Sequence, residues 1–366
     1  MSQPLSGILV LDFTTLLPGP LATLTLAEAG AEVIKVERPG GEELRQGPPR
    51  FDGMSATYAA LNRGKQCLIR DLKDPADRKS LEPLLRRADV VVEQFRPGVM
   101  DRLGLGFEDV RKLNPKIVYC SITGYGQAGP RAQEAGHDIN YIGATGLLAL
   151  QPGPADRPVL PPALIADIGG GTLPAVINIL LGLRQRDATG EACHIDIAMA
   201  DTMFTFAWLG LVTGGATGRY PGPGELRLTG ASPRYQLYPT RDGKLVACGA
   251  LEQKFWLGFC ATIGLPPALV KDHVDPAATK AAVARIIADE TAEFWRPKFA
   301  AADCCATIVA SLEEAVHDPH FVSRGLFVQM ISGPSGATIP ALPVPVAAAF
   351  RDHETTVKSP PLLPTG

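Results

Sequence analysis

Two hydrophobic rhythms alternate through the first 125 residues. GILVLDF (7–13) is a short continuous apolar run and reads as a buried strand. TTLLPGP (14–20) is a turn whose Pro20 can start a helix. LATLTLAEAG (21–30) then carries apolar residues at helical spacing and ends on Gly30, a natural C-terminal stop. AEVIKVE (31–37) is the next strand, halted by RPGG. The rhythm recurs: QCLIRDL, DVVVEQF and KIVYCSITGYG read as strands, ADRKSLEPLLRRA and FEDVRKLN as helices. Such alternation predicts an α/β fold, a Rossmann-like parallel sheet with right-handed crossovers and helices on both faces.

Beyond residue 125 the punctuation is denser. A Gly-rich turn precedes a helix holding GHDINY (136–141), and QPGPADRPVLPP (151–162) is a Pro-rich loop. Residues 166–190 read as a loop entering a buried helix, followed by the strand CHIDIAM. Residues 214–234 read as a long exposed connection, 243–265 as strand, turn and helix, and 266–310 as helical and more charged. The expected organisation is a large domain over 1–200, completed by 318–366, a connection over 201–235, and a smaller α/β domain over 236–317. The Pro-rich tail should wrap a surface.

Composition narrows the function classes. The chain of 366 residues is 46% hydrophobic and 20% charged, enough apolar material for large cores. A net charge of −3 excludes the strongly basic footprint of a nucleic-acid binder. An anionic ligand must therefore be met by a few placed basic groups. The seven cysteines, at 67, 120, 193, 248, 260, 304 and 305, contain no CxxC, which points to reduced thiols and a cytoplasmic location. The start, MSQPLSGILVLDF, lacks the basic region of a signal peptide. The most apolar stretch, Leu164 to Leu183, includes Asp167, three consecutive glycines and Pro174, so no membrane span is expected.

Several familiar motifs are missing. No GxGxxG joins a strand to a helix, and no GxxxxGK[ST] or GxSxG occurs. The HDPH at 317–320 is interrupted by Pro319, and no metal is expected. The residues able to carry chemistry are instead scattered. Asp167 lies beside three glycines at the mouth of an apolar helix. It is either an N-cap or a carboxylate poised at a backbone-lined anion site. His137 and Asp138 follow Gly136 into a helix, and Glu252 follows a strand directly, as catalytic residue or as cap. Arg38, Lys65, Lys73 and Arg96 recur at strand ends, two of them in RPG turns, a placement suited to a polyphosphate ligand.

Read together, LDFTTLLPGP, GAEVIKVERPGG, LNRGKQCLIRDLK, EQFRPGVMDRLGLG, ITGYGQAGP and ADIGGG resemble the class III CoA-transferase superfamily. AGHDINYIGATG and GALEQKF are most similar to its racemase branch, which epimerises 2-methylacyl-CoA thioesters. The resemblance implies that His137 and Asp167 are two bases and Glu252 the acid partner of the histidine. It implies coenzyme A contacts at Arg38, Leu72, Lys73 and Arg96, and at Gly136, Asp138, Asn140 and Tyr141 within the 136–141 segment. No separate cofactor is implied, since coenzyme A arrives on the acyl-CoA substrate, and the fold implied is an interlocked homodimer. Racemases of this family typically carry Asn four residues before the catalytic Asp, where this chain has Ala163. The alternative is CoA transfer between carboxylic acids, with Asp167 as nucleophile and carrier of an aspartyl thioester. A non-enzymatic acyl-CoA binder would have no use for three titratable groups at one site.

Overall fold

The computed structural model describes residues 3–151, 153, 159–352 and 356–360. Part of the Pro-rich loop and the last six residues of the tail lie outside these. The chain divides into two units, one of residues 1–145, 162–205 and 322–366, the other of 146–161 and 206–321. Residues 206–235, read from the sequence as a connection, fall within the second unit.

The first unit is built on six parallel strands: β1 (Leu9–Phe13), β2 (Glu32–Glu37), β3 (Gln66–Ile69), β4 (Val90–Glu93), β5 (Val118–Thr123) and β6 (Cys193–Ala198). Their order is β3-β2-β1-β4-β5-β6. The order reverses between β1 and β4, and in such sheets ligands bind beyond the carboxyl ends of the strands near that reversal. The near-continuous apolar runs of β1, β4 and β5 are explained by burial on both faces. One expected helix, 76–88, is two short ones, Pro75–Ser80 and Glu82–Arg87. Pro83 has no N–H for the ladder, so a second helix begins around it instead.

The turn after β1 lacks the phosphate cradle of a dinucleotide fold for a physical reason. Helix α1 (Pro18–Glu28) begins with Pro18, and Pro20 follows, so two of its first amides carry no hydrogen. The Gly19 amide donates to Gln94 Oε1 at 3.2 Å and the Leu21 amide to Leu17 O at 3.0 Å. Donors that would meet a phosphate are missing or taken.

Lys65 is the principal departure from the sequence expectation within this sheet. Its ammonium is fully buried beneath α1, 3.1 Å from Asp12 Oδ2, and donates to Thr23 Oγ1, Pro20 O and Asn62 Oδ1 at 2.8–2.9 Å. Burial alone would raise the Asp12 carboxyl; the Lys65 and Lys35 ammoniums overcome it and hold that group far below the usual carboxylate range. Lys65 therefore ties β1, α1 and the helix Ala56–Asn62 together, and its charge is not available to a ligand. Breaking such a buried pair typically costs ~3–5 kcal/mol.

In the second unit, strands β7 (Gln236–Pro239), β8 (Leu245–Cys248) and β9 (Ala306–Ile308) form an antiparallel sheet in the order β7-β8-β9. Its core is aromatic, with Trp256, Phe259, Phe299 and Trp295 stacked in succession at centroid spacings of 5.5–5.8 Å. The expected exposed connection over 214–234 is helical at its start, since Trp208–Thr217 forms one helix. Gly214 belongs there because a Cβ would come within 2.3 Å of the Tyr220 ring.

Candidate active site

Among the cavities at the carboxyl ends of the first unit's strands, two hold most of the expected contact residues. The first, about 430 Å³, is lined by Thr15 and Leu16 after β1, Arg38 after β2, Leu72 and Lys73 after β3, and Phe95 after β4. Three of the expected coenzyme A positions, Arg38, Leu72 and Lys73, thus share one cavity. Its wall is braced from beneath. Leu16 adopts a left-handed backbone, φ 61°, which is strained for a branched side chain. Buried Glu42 holds it there, accepting the Leu16 amide at 2.8 Å while paired with Lys35 at 3.2 Å. Arg38 and Lys73 are exposed, and Arg38 Nε donates to Gly41 O at 3.0 Å.

The second cavity, about 490 Å³, is lined by Phe95 and Arg96 after β4, Gly124 after β5, Met199 after β6, and Gly136, His137, Asn140 and Tyr141. Phe95 lines both cavities, and sequence reasoning missed it. Its only signal was its place at a strand end beside Arg96. Arg96 is exposed, and its guanidinium makes no hydrogen bond or ion pair among the described residues. The Tyr141 ring explains both flanking glycines, because a Cβ on Gly124 or Gly136 would lie within 2.4 or 2.8 Å of it. Tyr141 Oη also donates to Gly136 O at 2.6 Å, which closes the turn leading to His137. Helix α2 (Asp138–Ala144) starts there, with Asn140 Oδ1 accepting the His137 amide at 3.0 Å.

Asp167 lies in a π-helical turn, Ala166–Thr172, that runs directly into helix α3 (Leu173–Thr189) rather than in a loop. The N-cap reading fails, since Asp167 is already inside the turn and makes no capping bond. The glycines beside it also have a packing reason. A Cβ on Gly170 would meet Met199 O at 2.4 Å, and one on Gly171 would meet Pro18 at 2.9 Å. Two of the three glycines therefore have a packing reason to lack a side chain. Burial pushes the Asp167 carboxyl up to about 6, with the Asp138 charge adding to the rise and His137 opposing it.

Asp138 was expected to contact coenzyme A. Its buried carboxylate instead accepts the Ala166 and Asp167 amides at 2.6 and 3.0 Å. Glu252 stands in the second unit, exposed, at the N-terminus of the helix Gln253–Ile263, and its side chain does not cap that helix. Glu252 does occupy the N-cap position of that helix, but through its backbone, whose carbonyl accepts the Trp256 amide at 3.0 Å. Among the described residues no group of three or more His, Cys, Asp or Glu is arranged to hold a metal.

The family model for CoA-transferase family III matches residues 5–365. The chain belongs to that family. Family III members similar to it include enzymes of two kinds. Human alpha-methylacyl-CoA racemase is 34% identical over 328 residues, covering 88% of this chain and 82% of that protein. Succinate–glutarate CoA-transferase of Agrobacterium fabrum is 35% identical, covering 94% and 89%. The family III fold is equally plain in a solved CAIB/BAIF family protein from Brucella suis, with a TM-score of 0.85 at 30% identity, covering 99% of this chain and 97% of that one.

Proposed function

We propose that this family III enzyme interconverts the (R)- and (S)-forms of 2-methylacyl-CoA thioesters by removing the α-proton on one face and returning it on the other. The observation that carries the reading is the placement of His137 and Asp167, joined through Asp138, with the Asp167 carboxyl raised to about 6. Inversion needs one base ionised and the other protonated, each able to exchange roles. An unperturbed carboxyl is a poor proton donor at neutral pH. A carboxyl raised to about 6 can both give and take a proton near neutral pH, so Asp167 can share the task with a second base. Glu252, which the family resemblance implies as a further acid, is kept as a catalytic candidate of this reading.

Arg38, Lys73 and Arg96 are assigned to the phosphates, Leu72 to the nucleotide, and Gly136, Asn140 and Tyr141 to the arm that leads to His137. Because α1 offers no free amides, the phosphates depend on these side chains. Arg38→Ala or Arg96→Ala should raise KM for acyl-CoA roughly ten-fold or more while kcat changes little, since the phosphates are remote from the breaking C–H bond. Steady-state kinetics with an unchanged KM in both variants would remove the assignment.

An interlocked homodimer is part of the same reading. Within the first unit α3 packs one face on β5 and β6 and leaves Ile177, Leu180 and Leu181 exposed. In the second, Phe206, Trp208 and Val212 are exposed. Such surfaces call for a partner, and light scattering should give twice the chain mass of 38.8 kDa.

CoA transfer is the second reading, favoured by relatives of that activity and by Ala163 in place of the racemases' Asn. Incubation of the protein with a 2-methylacyl-CoA in deuterated water, with and without a carboxylic acid, decides between them. Racemisation incorporates deuterium at Cα without any acid present. CoA transfer requires the acid and incorporates none.

A further inference from the structure

We propose that Asp138 is the positioning residue of the site: its carboxylate clamps the turn carrying Asp167 to the helix carrying His137, and so sets the spacing of the two groups. This rests on the reading of His137 and Asp167 as the reacting pair and goes beyond the coenzyme A contact expected of Asp138.

The geometry is specific. Asp138 is 6% exposed, and a single oxygen, Oδ1, accepts two successive amides, those of Ala166 at 2.6 Å and Asp167 at 3.0 Å. Those amides belong to the first residues of the π-helical turn, which have no partner a turn earlier in the helix. Asp138 directly follows His137, so one residue joins the backbone of one reacting group to the backbone of the other. A carboxylate accepting two amides is a stronger tether than a neutral acceptor.

The clamp has an electrostatic consequence. The Asp138 charge lies beside the Asp167 carboxyl and opposes its ionisation, in addition to burial, while His137 acts the other way. The remaining charged groups on the elements packed around the turn are engaged elsewhere or distant. Glu28 at the far end of α1 pairs with Arg63, and Arg186 near the end of α3 with Asp89 and Asp187, while Arg184 beside it is exposed. On β6, His194 bonds Ser121 and Asp196 accepts the Gln127 amide. Tyr141, on α2, is the other titratable neighbour, and its hydroxyl donates to Gly136.

The test uses the full chain as wild type, Asp138→Asn and Asp138→Ala, with 13C-carboxyl aspartate. The Asp167 resonance is assigned by its loss in Asp167→Asn and titrated without ligand. Asp138→Asn keeps an oxygen for the two amides and removes the charge. The Asp167 midpoint should fall by on the order of one pH unit. Asp138→Ala loses the clamp as well, and kcat should drop ~10²-fold with KM nearly unchanged, because a small misplacement of a reacting group is costly. Asp138→Asn should recover at least about ten-fold of that loss, with the acid limb of its pH–rate profile moved down. A purely structural role would lower thermal stability in both variants and leave the Asp167 midpoint in place. An unmoved midpoint in both variants, or full kcat in Asp138→Ala, overturns the proposal. The titration needs no substrate, so its failure leaves the racemase reading standing. Wild-type protein without α-proton exchange would remove that reading and leave the clamp.

Discussion

Asp167→Asn is expected to abolish turnover, with the chain still folded. Racemisation loses one of its two bases and CoA transfer loses its nucleophile, so both readings of this family III enzyme require the carboxylate. The substitution is nearly isosteric, and its effect on folding has a defined sign. The folded carboxyl titrates at about 6, above its usual 3.8. Ionised Asp167 therefore opposes folding above pH 6, and the opposition fades as the pH falls through 6. Replacing it by a neutral amide should leave Tm unchanged or higher at pH 7.5. A collapse of Tm would mean that the lost activity was lost structure. In the wild type, steps that use Asp167 as a base should decline below about pH 6, as the carboxyl takes up its proton. Hydroxylamine added during turnover separates the chemistries: an aspartyl thioester is trapped as a hydroxamate at position 167, and a two-base mechanism leaves the residue unmodified. Retained activity in Asp167→Asn would refute both.

The sheet was legible in the sequence because its strands are short apolar runs that tertiary structure had no reason to override. β1 and β4 appear within two residues of where their composition places them, and β5 within three. What the sequence hid was the direction in which polar side chains point. Lys65 stands just before a strand in the same manner as a phosphate-binding lysine would, yet it turns beneath α1 to meet Asp12, and that partner lies 53 positions away. Asp138 looked like part of a ligand-binding segment, and its real partners are amides 28 and 29 positions further on. The glycines after Asp167 suggested an anion cradle on composition alone. Only the packing of Gly170 on Met199 and Gly171 on Pro18 reveals why a side chain is excluded there. Long-range contacts of this kind leave no local periodicity. Arg38 and Lys73 stood out by a fold-level rule, namely that ligands gather at the carboxyl ends of a doubly wound sheet, and Leu72 by the family resemblance; the three share one cavity.

Replacing His137 with Ala separates the racemase reading from CoA transfer more finely than any loss at Asp167. In the two-base scheme each enantiomer is deprotonated by a different residue. His137→Ala leaves Asp167 able to exchange the proton of one enantiomer, while inversion needs both faces. Loss of a positioned base typically costs ~10²–10⁴-fold. Racemisation should fall by that factor, and deuterium exchange should survive for one enantiomer only. If Glu252 takes part in the two-base scheme, Glu252→Gln is expected to weaken one direction of inversion more than the other. A merely structural Glu252 would leave the two directions equally affected. CoA transfer has no second base, and neither substitution should touch its chemical step. The measurement is α-proton exchange in deuterated water, scored separately for the two enantiomers of one 2-methylacyl-CoA in wild type, His137→Ala and Glu252→Gln. Equal loss of exchange for both enantiomers in His137→Ala would break the division of labour between His137 and Asp167. A wild type that exchanges neither α-proton, yet passes coenzyme A to a free acid, would make this family III member a transferase with Asp167 as its nucleophile.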